Sequence, residues 1–139
     1  FDHYICSKLF TDELPTTAFA SSSWLNNATV SPHPLNTYLA QSFAALFLSA
    51  TGTEPNSYVK TSAAFDQSHG IYYYAKPEEL AARAFEHMLQ QQQLKNSFLV
   101  SGTLKSKAAK AGLYPDSALS TLLAQHWLGY FSLLGRALR

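Results

Sequence analysis

A single cysteine, Cys6, serves all 139 residues, so neither an intrachain disulfide nor a cysteine-built zinc knuckle can form. The absence of a disulfide framework fits a reducing compartment. Charge is sparse too: Asp, Glu, Lys and Arg make up 14% of the chain and sum to +1, too scattered to track a phosphate backbone. The densest basic stretch, "KSKAAK" at Lys105–Lys110, reads as a solvated loop or helix end. A nucleic-acid accessory role would rest on Lys105, Lys107 and Lys110 alone, and nucleic acid is not the expected partner. No apolar run approaches the ~18 residues of a membrane span. "YLAQSFAALFLSA" is shorter and holds Gln41 and Ser42, so it reads as a buried helix and no membrane is expected. No signal-peptide pattern opens the chain. It begins at Phe1, as a processed chain or a piece of a longer one would.

What is present is apolar and aromatic. Hydrophobic residues reach 47%, with nine Phe and eight Tyr, enough for one folded domain spanning residues 1–139 with a single core. Low charge and many aromatics suit a surface that meets another protein.

The segments read mainly as helix with little or no sheet. Tyr4–Phe10 is apolar-rich and reads as a helix continuing from before residue 1. Thr11–Pro34 is rich in turn formers and too long to lack structure, so short turns or a helical turn are expected within it. Asn36 or Thr37 can cap a helix over Thr37–Ala50, where Leu39, Phe43, Leu46 and Phe47 recur at helical spacing and Gly52 follows as exit. Glu54–Ala75 reads as mixed loop and short extended structure. Pro77 suits the first position of a helix to about Leu94, with Glu78 and Glu79 in its first turn. Leu80, Ala84 and Met88 form one apolar row there, beside Ala81, Phe85 and Leu89. Asn96–Leu104 reads as a loop or edge segment. Asp116 can cap a last helix to about Leu138, with Leu119, Leu122, Leu123, Trp127, Tyr130, Phe131 and Leu134 as its apolar face.

The helix from Pro77 raises the question of chemistry. Glu79 and Glu86 lie on one side, roughly 10 Å apart along the axis, so one metal ion would take only one of them. On spacing alone, Glu79, Arg83 and Glu86 make an i,i+4 and i,i+3 charge strip of the kind that stabilises an exposed helix. His87 reads as a surface or boundary histidine, and His126 as a partly buried core one. His3, His33, His69 and His126 show no ligand spacing, and neither His-Glu-X-X-His nor a Gly-rich phosphate loop occurs.

The order of the pieces resembles a known family. "FDHYI" at residues 1–5, "YYYAKPEELAARAFEHM" from Tyr72, "LKNSFLV" from Leu94 and "LYPDSALSTLLAQHWLGYF" from Leu113 are similar to the C-terminal part of zincin-type metallopeptidase domains. The match is to the first of the large polyvalent protein-associated domains, found in big proteins of phages and conjugative elements, and more distantly to the anthrax lethal factor protease domain. The specific part is Tyr72–Glu86. The resemblance implies a zincin-like C-terminal portion, with the third zinc ligand at Glu79 and a transition-state tyrosine at Tyr72 or Tyr73. It also implies outer hydrogen-bonding roles for Asp2, Arg83 and Glu86. A zinc metallopeptidase of this type would work on a protein or peptide substrate in the bacterial cytoplasm, including a host cell that a phage protein has entered. The two zinc histidines and the catalytic glutamate should precede Phe1, so zinc and catalysis are expected only where that upstream helix is present. The alternative is a non-catalytic protein-binding module, with a host protein as partner, on a degenerate zincin scaffold.

Overall fold

The computed structural model describes residues 1–92 and 107–139. Among them the chain is mainly helical and contains no sheet; the only extended pairings are isolated bridges between Phe10 and Val30 and between Leu48 and Pro55. The readings for residues 96–104, for Lys105 and for the helix end at Leu94 lie outside the described residues.

The helices are α1 (Asp2–Leu9), α2 (Ala20–Leu25), α3 (Pro34–Phe47), α4 (Ser57–His69), α5 (Pro77–Gln91), α6 (Lys107–Lys110) and α7 (Ser117–Ala137). The helical turn expected within residues 11–34 is α2. Capping sets several of the boundaries. Helix α3 starts earlier than the Asn36 or Thr37 cap predicts. Pro34 supplies a preset φ at its first position, and the His33 ring accepts from the Leu35 N–H at 3.2 Å. Asn36 is instead buried inside the helix, where it donates to the Ser31 carbonyl at 3.0 Å. Gly52, with φ +72°, lies in the turn between the bridged residues Leu48 and Pro55, beyond the end of α3 at Phe47. Asp116 caps α7 as its sequence position predicts, accepting from the Leu119 N–H at 2.8 Å.

Helix α4 corrects the sequence reading of loop and extended structure over residues 54–75. Asn56 caps it by accepting from the Val59 N–H at 3.0 Å, and Gly70, at φ +63°, terminates it. The same Asn56 side chain donates to the carbonyls of Ala45 and Leu46 at 3.1 and 2.8 Å, tying the start of α4 to the end of α3. The face α4 buries is Tyr58, Ser62 and Asp66, a row at i, i+4 and i+8 with only one aromatic member.

The centre of the molecule is the long contact of α3 with α7, joined by α5. Leu39, Phe43, Leu46 and Phe47 of α3, Leu80, Ala84 and Met88 of α5, and Leu123, Trp127 and Tyr130 of α7 are all buried in one cluster, as their helical spacing predicts, and Ala124 of α7 joins them. Leu122 is the exception: it is 42% exposed and faces outward. Helix α1 adds Ile5, Cys6 and Leu9 to the cluster and packs on α2, which reaches α5. This brings the start of the chain against the N-terminal half of α5, where the candidate residues lie.

Candidate functional site

Helix α5 opens with Pro77 at its first position and Glu78 and Glu79 in its first turn, where the helix dipole favours carboxylates. Glu78 accepts from the Ser22 hydroxyl at 3.0 Å, which docks α5 on α2. Asp2, in the first turn of α1, does the same for α2 from the other side. Its two carboxylate oxygens accept from the Ser21 N–H at 2.8 Å and from the Ser21 hydroxyl at 2.5 Å. Burial pushes the Asp2 carboxyl above its ordinary range against the pull of these hydrogen bonds.

Between α1 and α5 lies a groove of about 530 Å³. Asp2 and His3 line it from α1, Glu79 and Glu86 from α5, and Phe1, Phe43, Phe85 and Trp127 supply its apolar wall. Phe1 stacks on Phe85 at 5.8 Å, and Phe85 meets Trp127 edge-on at 5.4 Å. The His3 Nδ1 lies 2.8 Å from the Ala18 carbonyl. A carbonyl only accepts, so Nδ1 carries the proton and Nε2 of the neutral ring is an acceptor. Sequence spacing does not single out His3; its place in the groove arises from the α1–α5 packing.

The two candidate tyrosines part company. Tyr73 is about half exposed, and the Glu79 carboxylate, as acceptor and as charge, raises its phenol above the ordinary value. Tyr72 is 67% exposed and lines a separate cleft of about 410 Å³ with Ser22, Asn26 and Lys76. The Lys76 ammonium sits 5.9 Å from the centre of the Tyr72 ring.

Arg83 overturns the reading of an exposed charge strip. It is buried, 7% exposed, and turned away from solvent. Its Nε donates to the Leu113 carbonyl at 3.1 Å, and its Nη2 to the Tyr74 carbonyl at 2.6 Å and the Ser62 hydroxyl at 3.3 Å. The guanidinium also lies over the rings of Tyr74 and Tyr58, at 5.1 and 6.0 Å. An arginine so placed is a strut between α5, α4 and the segment before α7.

Asp2, Glu79 and Glu86 therefore share one groove, and Tyr72, Tyr73 and Arg83 are not among the residues that line it. Among the described residues no group of three His, Cys, Asp or Glu side chains is arranged to hold a metal ion. Asp2 is committed to Ser21 and Glu78 to Ser22, so these residues by themselves do not make a zinc site. Of the basic stretch, Lys110 is exposed on α6. No helix among the described residues is long and apolar enough to cross a membrane.

A family model, that of large polyvalent protein-associated domain 1, matches residues 65–138. The match runs from the end of α4 through α7 and includes Tyr73, Glu79 and Arg83; the likeness at residues 1–5 lies outside it. No curated protein and no solved structure matches the chain.

Proposed function

The chain belongs to the large polyvalent protein-associated domain 1 family, and from that premise we propose that it is the C-terminal portion of a zincin-like zinc metallopeptidase domain of a phage or mobile-element protein. In this reading Glu79 is the one carboxylate the chain offers to zinc, Tyr73 is the phenol beside it, and Asp2 braces the groove by fixing α1 to α2. A protein or peptide in the bacterial cytoplasm is the substrate. The observation that supports the reading is the convergence of Asp2 and Glu79, from the first helix and from the middle of the chain, on one groove. The residues described here supply too few donors for zinc, so activity requires further ligands and no step of hydrolysis is assigned to this chain alone.

A second reading has its own support. The groove wall is aromatic and its polar rim is mostly acidic, which suits a non-catalytic module that binds a host protein through a basic, apolar segment. Peptide hydrolysis by the natural polypeptide that carries these residues separates the two. Cleavage that a zinc chelator stops and Glu79→Gln abolishes supports the peptidase. Cleavage absent under all conditions, or indifferent to Glu79→Gln, leaves the binding module.

A further inference from the structure

The groove between α1 and α5 is built from helices and the residues that open them. Along α5 its side runs from Glu79 through Ala82 and Phe85 to Glu86. Glu79 and Glu86 are seven residues apart, so they stand on one side of the helix two turns apart, roughly 10 Å along the axis. Both are half-buried, and Ala82 between them is exposed. At the lips, Phe1 and Phe19 are 47% and 37% exposed, and the Phe85 ring lies between those of Phe1 and Trp127. No lysine or arginine is among the described residues that line the groove. Its one imidazole, His3, turns Nδ1 to the Ala18 carbonyl at 2.8 Å. Aromatic surface thus lies between two carboxylates at a fixed helical spacing.

We propose that this groove docks an amphipathic helix of a protein partner, laid along α5, with two basic residues seven apart set against Glu79 and Glu86. Apolar residues of the intervening turn then rest on Phe85 and Phe1. Charge complementarity selects the basic occupant. A half-buried carboxylate loses more of its water when the groove is covered, and only a cation from the partner compensates. The walls select a helix. Helical walls offer side chains, because their backbone donors and acceptors are spent within the helix. An extended peptide needs a strand edge to pair with, and among the described residues the two isolated bridges lie outside the groove. A docked helix brings its backbone bonds with it. A second copy of this chain does not fit the pattern: the one basic pair at that spacing among the described residues is Lys76 and Arg83, and Arg83 is buried.

The inference rests on the protein-binding reading given above, and its test needs no hydrolysis. Binding to the natural polypeptide that carries these residues is read by fluorescence anisotropy of a labelled peptide. The probe is rich in alanine and glutamine and roughly 20 residues long, enough to be helical. It carries two lysines seven residues apart, with two leucines between them on the same face. A second probe of the same composition sets the lysines five apart, which turns one of them off that face. The first probe is expected to bind about 5-fold more tightly, the size of one partly exposed ion pair. Glu79→Gln and Glu86→Gln should each remove that preference. Ala82→Lys puts a cation between the two carboxylates at an exposed helix position and should abolish binding; it decides alone if the glutamine variants fail to fold. Equal binding of the two probes, or binding that Ala82→Lys leaves intact, would overturn the proposal. So would a dimer of the chain that Ala82→Lys dissociates, because the groove would then belong to a second copy. Zinc-dependent cleavage of the first probe, with the spacing preference intact, would remove the non-catalytic reading and keep the docking groove.

Discussion

The Nη2 of Arg83 donates to the Tyr74 carbonyl at 2.6 Å, joining the middle of α5 to the turn that precedes it. The same side chain satisfies the Leu113 carbonyl and the Ser62 hydroxyl. Replacing it with methionine keeps most of the apolar stem and removes every donor. Buried acceptors that lose a charged donor cost about 2–3 kcal/mol in total stability. Urea unfolding of Arg83→Met is expected to show a loss of that size. A surface arginine paired only with Glu79 and Glu86 would cost a few tenths, and a result that small would contradict the buried placement.

His87 gives the fold a pH dependence of known sign. Its Nδ1 lies 2.7 Å from the Ser120 hydroxyl, its ring lies 5.7 Å from that of Tyr114, and burial holds the imidazole below its usual value. A lowered folded value means that the unfolded chain binds the proton first. Stability contributed above the unfolded value of about 6.5 is therefore lost as pH falls through it. Unfolding free energy measured from about pH 7.5 down to about 5.5 should decline, and His87→Gln should flatten the decline. An unchanged slope in His87→Gln would assign the effect elsewhere.

Two glycines of α7 make a matched pair. A Cβ at Gly135 meets nothing within 4 Å, whereas one at Gly129 would come 3.2 Å from Cε1 of Tyr38. Alanine in a helix interior is favoured over glycine by about 1 kcal/mol. Gly135→Ala should raise the melting temperature by a few degrees, on the order of 2–4 °C per kcal/mol for a domain near this size. Gly129→Ala should gain less, because the half-buried Tyr38 ring must give way first. Equal gains would show that the α3–α7 contact yields freely at Tyr38.

Tyr72 and Tyr73 are adjacent in sequence, but Tyr72 lines the small cleft beside Lys76 whereas the Tyr73 phenol is raised by the Glu79 carboxylate. If the peptidase reading holds, Tyr73→Phe should lower peptide hydrolysis by on the order of 100-fold, the cost of losing one transition-state hydrogen-bond donor. Tyr72→Phe should leave the rate near that of the parent. The reverse pattern would move the phenol to Tyr72 and detach Glu79 from it.

Much of this arrangement is legible in the sequence where burial is apolar. The rows Leu39–Phe43–Leu46 and Leu80–Ala84–Met88 identify α3 and α5, and Asp116 marks the start of α7, because those helices bury hydrocarbon at helical spacing. Helix α4 escapes this logic. It buries Ser62 and Asp66, so hydrophobic periodicity is silent over it, and only Asn56 and Gly70 announce its ends. The misreading of Arg83 has the same origin. Its spacing from Glu79 and Glu86 matches a surface strip, and the polar face of α4 that receives it is invisible until α4 is a helix. The resemblance to the family points to Glu79 and to Tyr72 or Tyr73 without choosing between the tyrosines; the sharing of one groove by Glu79 and Asp2 depends on the docking of α1 and α2 against α5, which no local pattern encodes.

The most direct measurement is the zinc content, by elemental analysis, of the natural polypeptide that carries these residues and of its Glu79→Gln variant. The account predicts about one zinc per chain in the parent and a clear loss in Glu79→Gln with the fold intact. Zinc absent from the parent, or retained in full by the variant, would contradict the role given to Glu79.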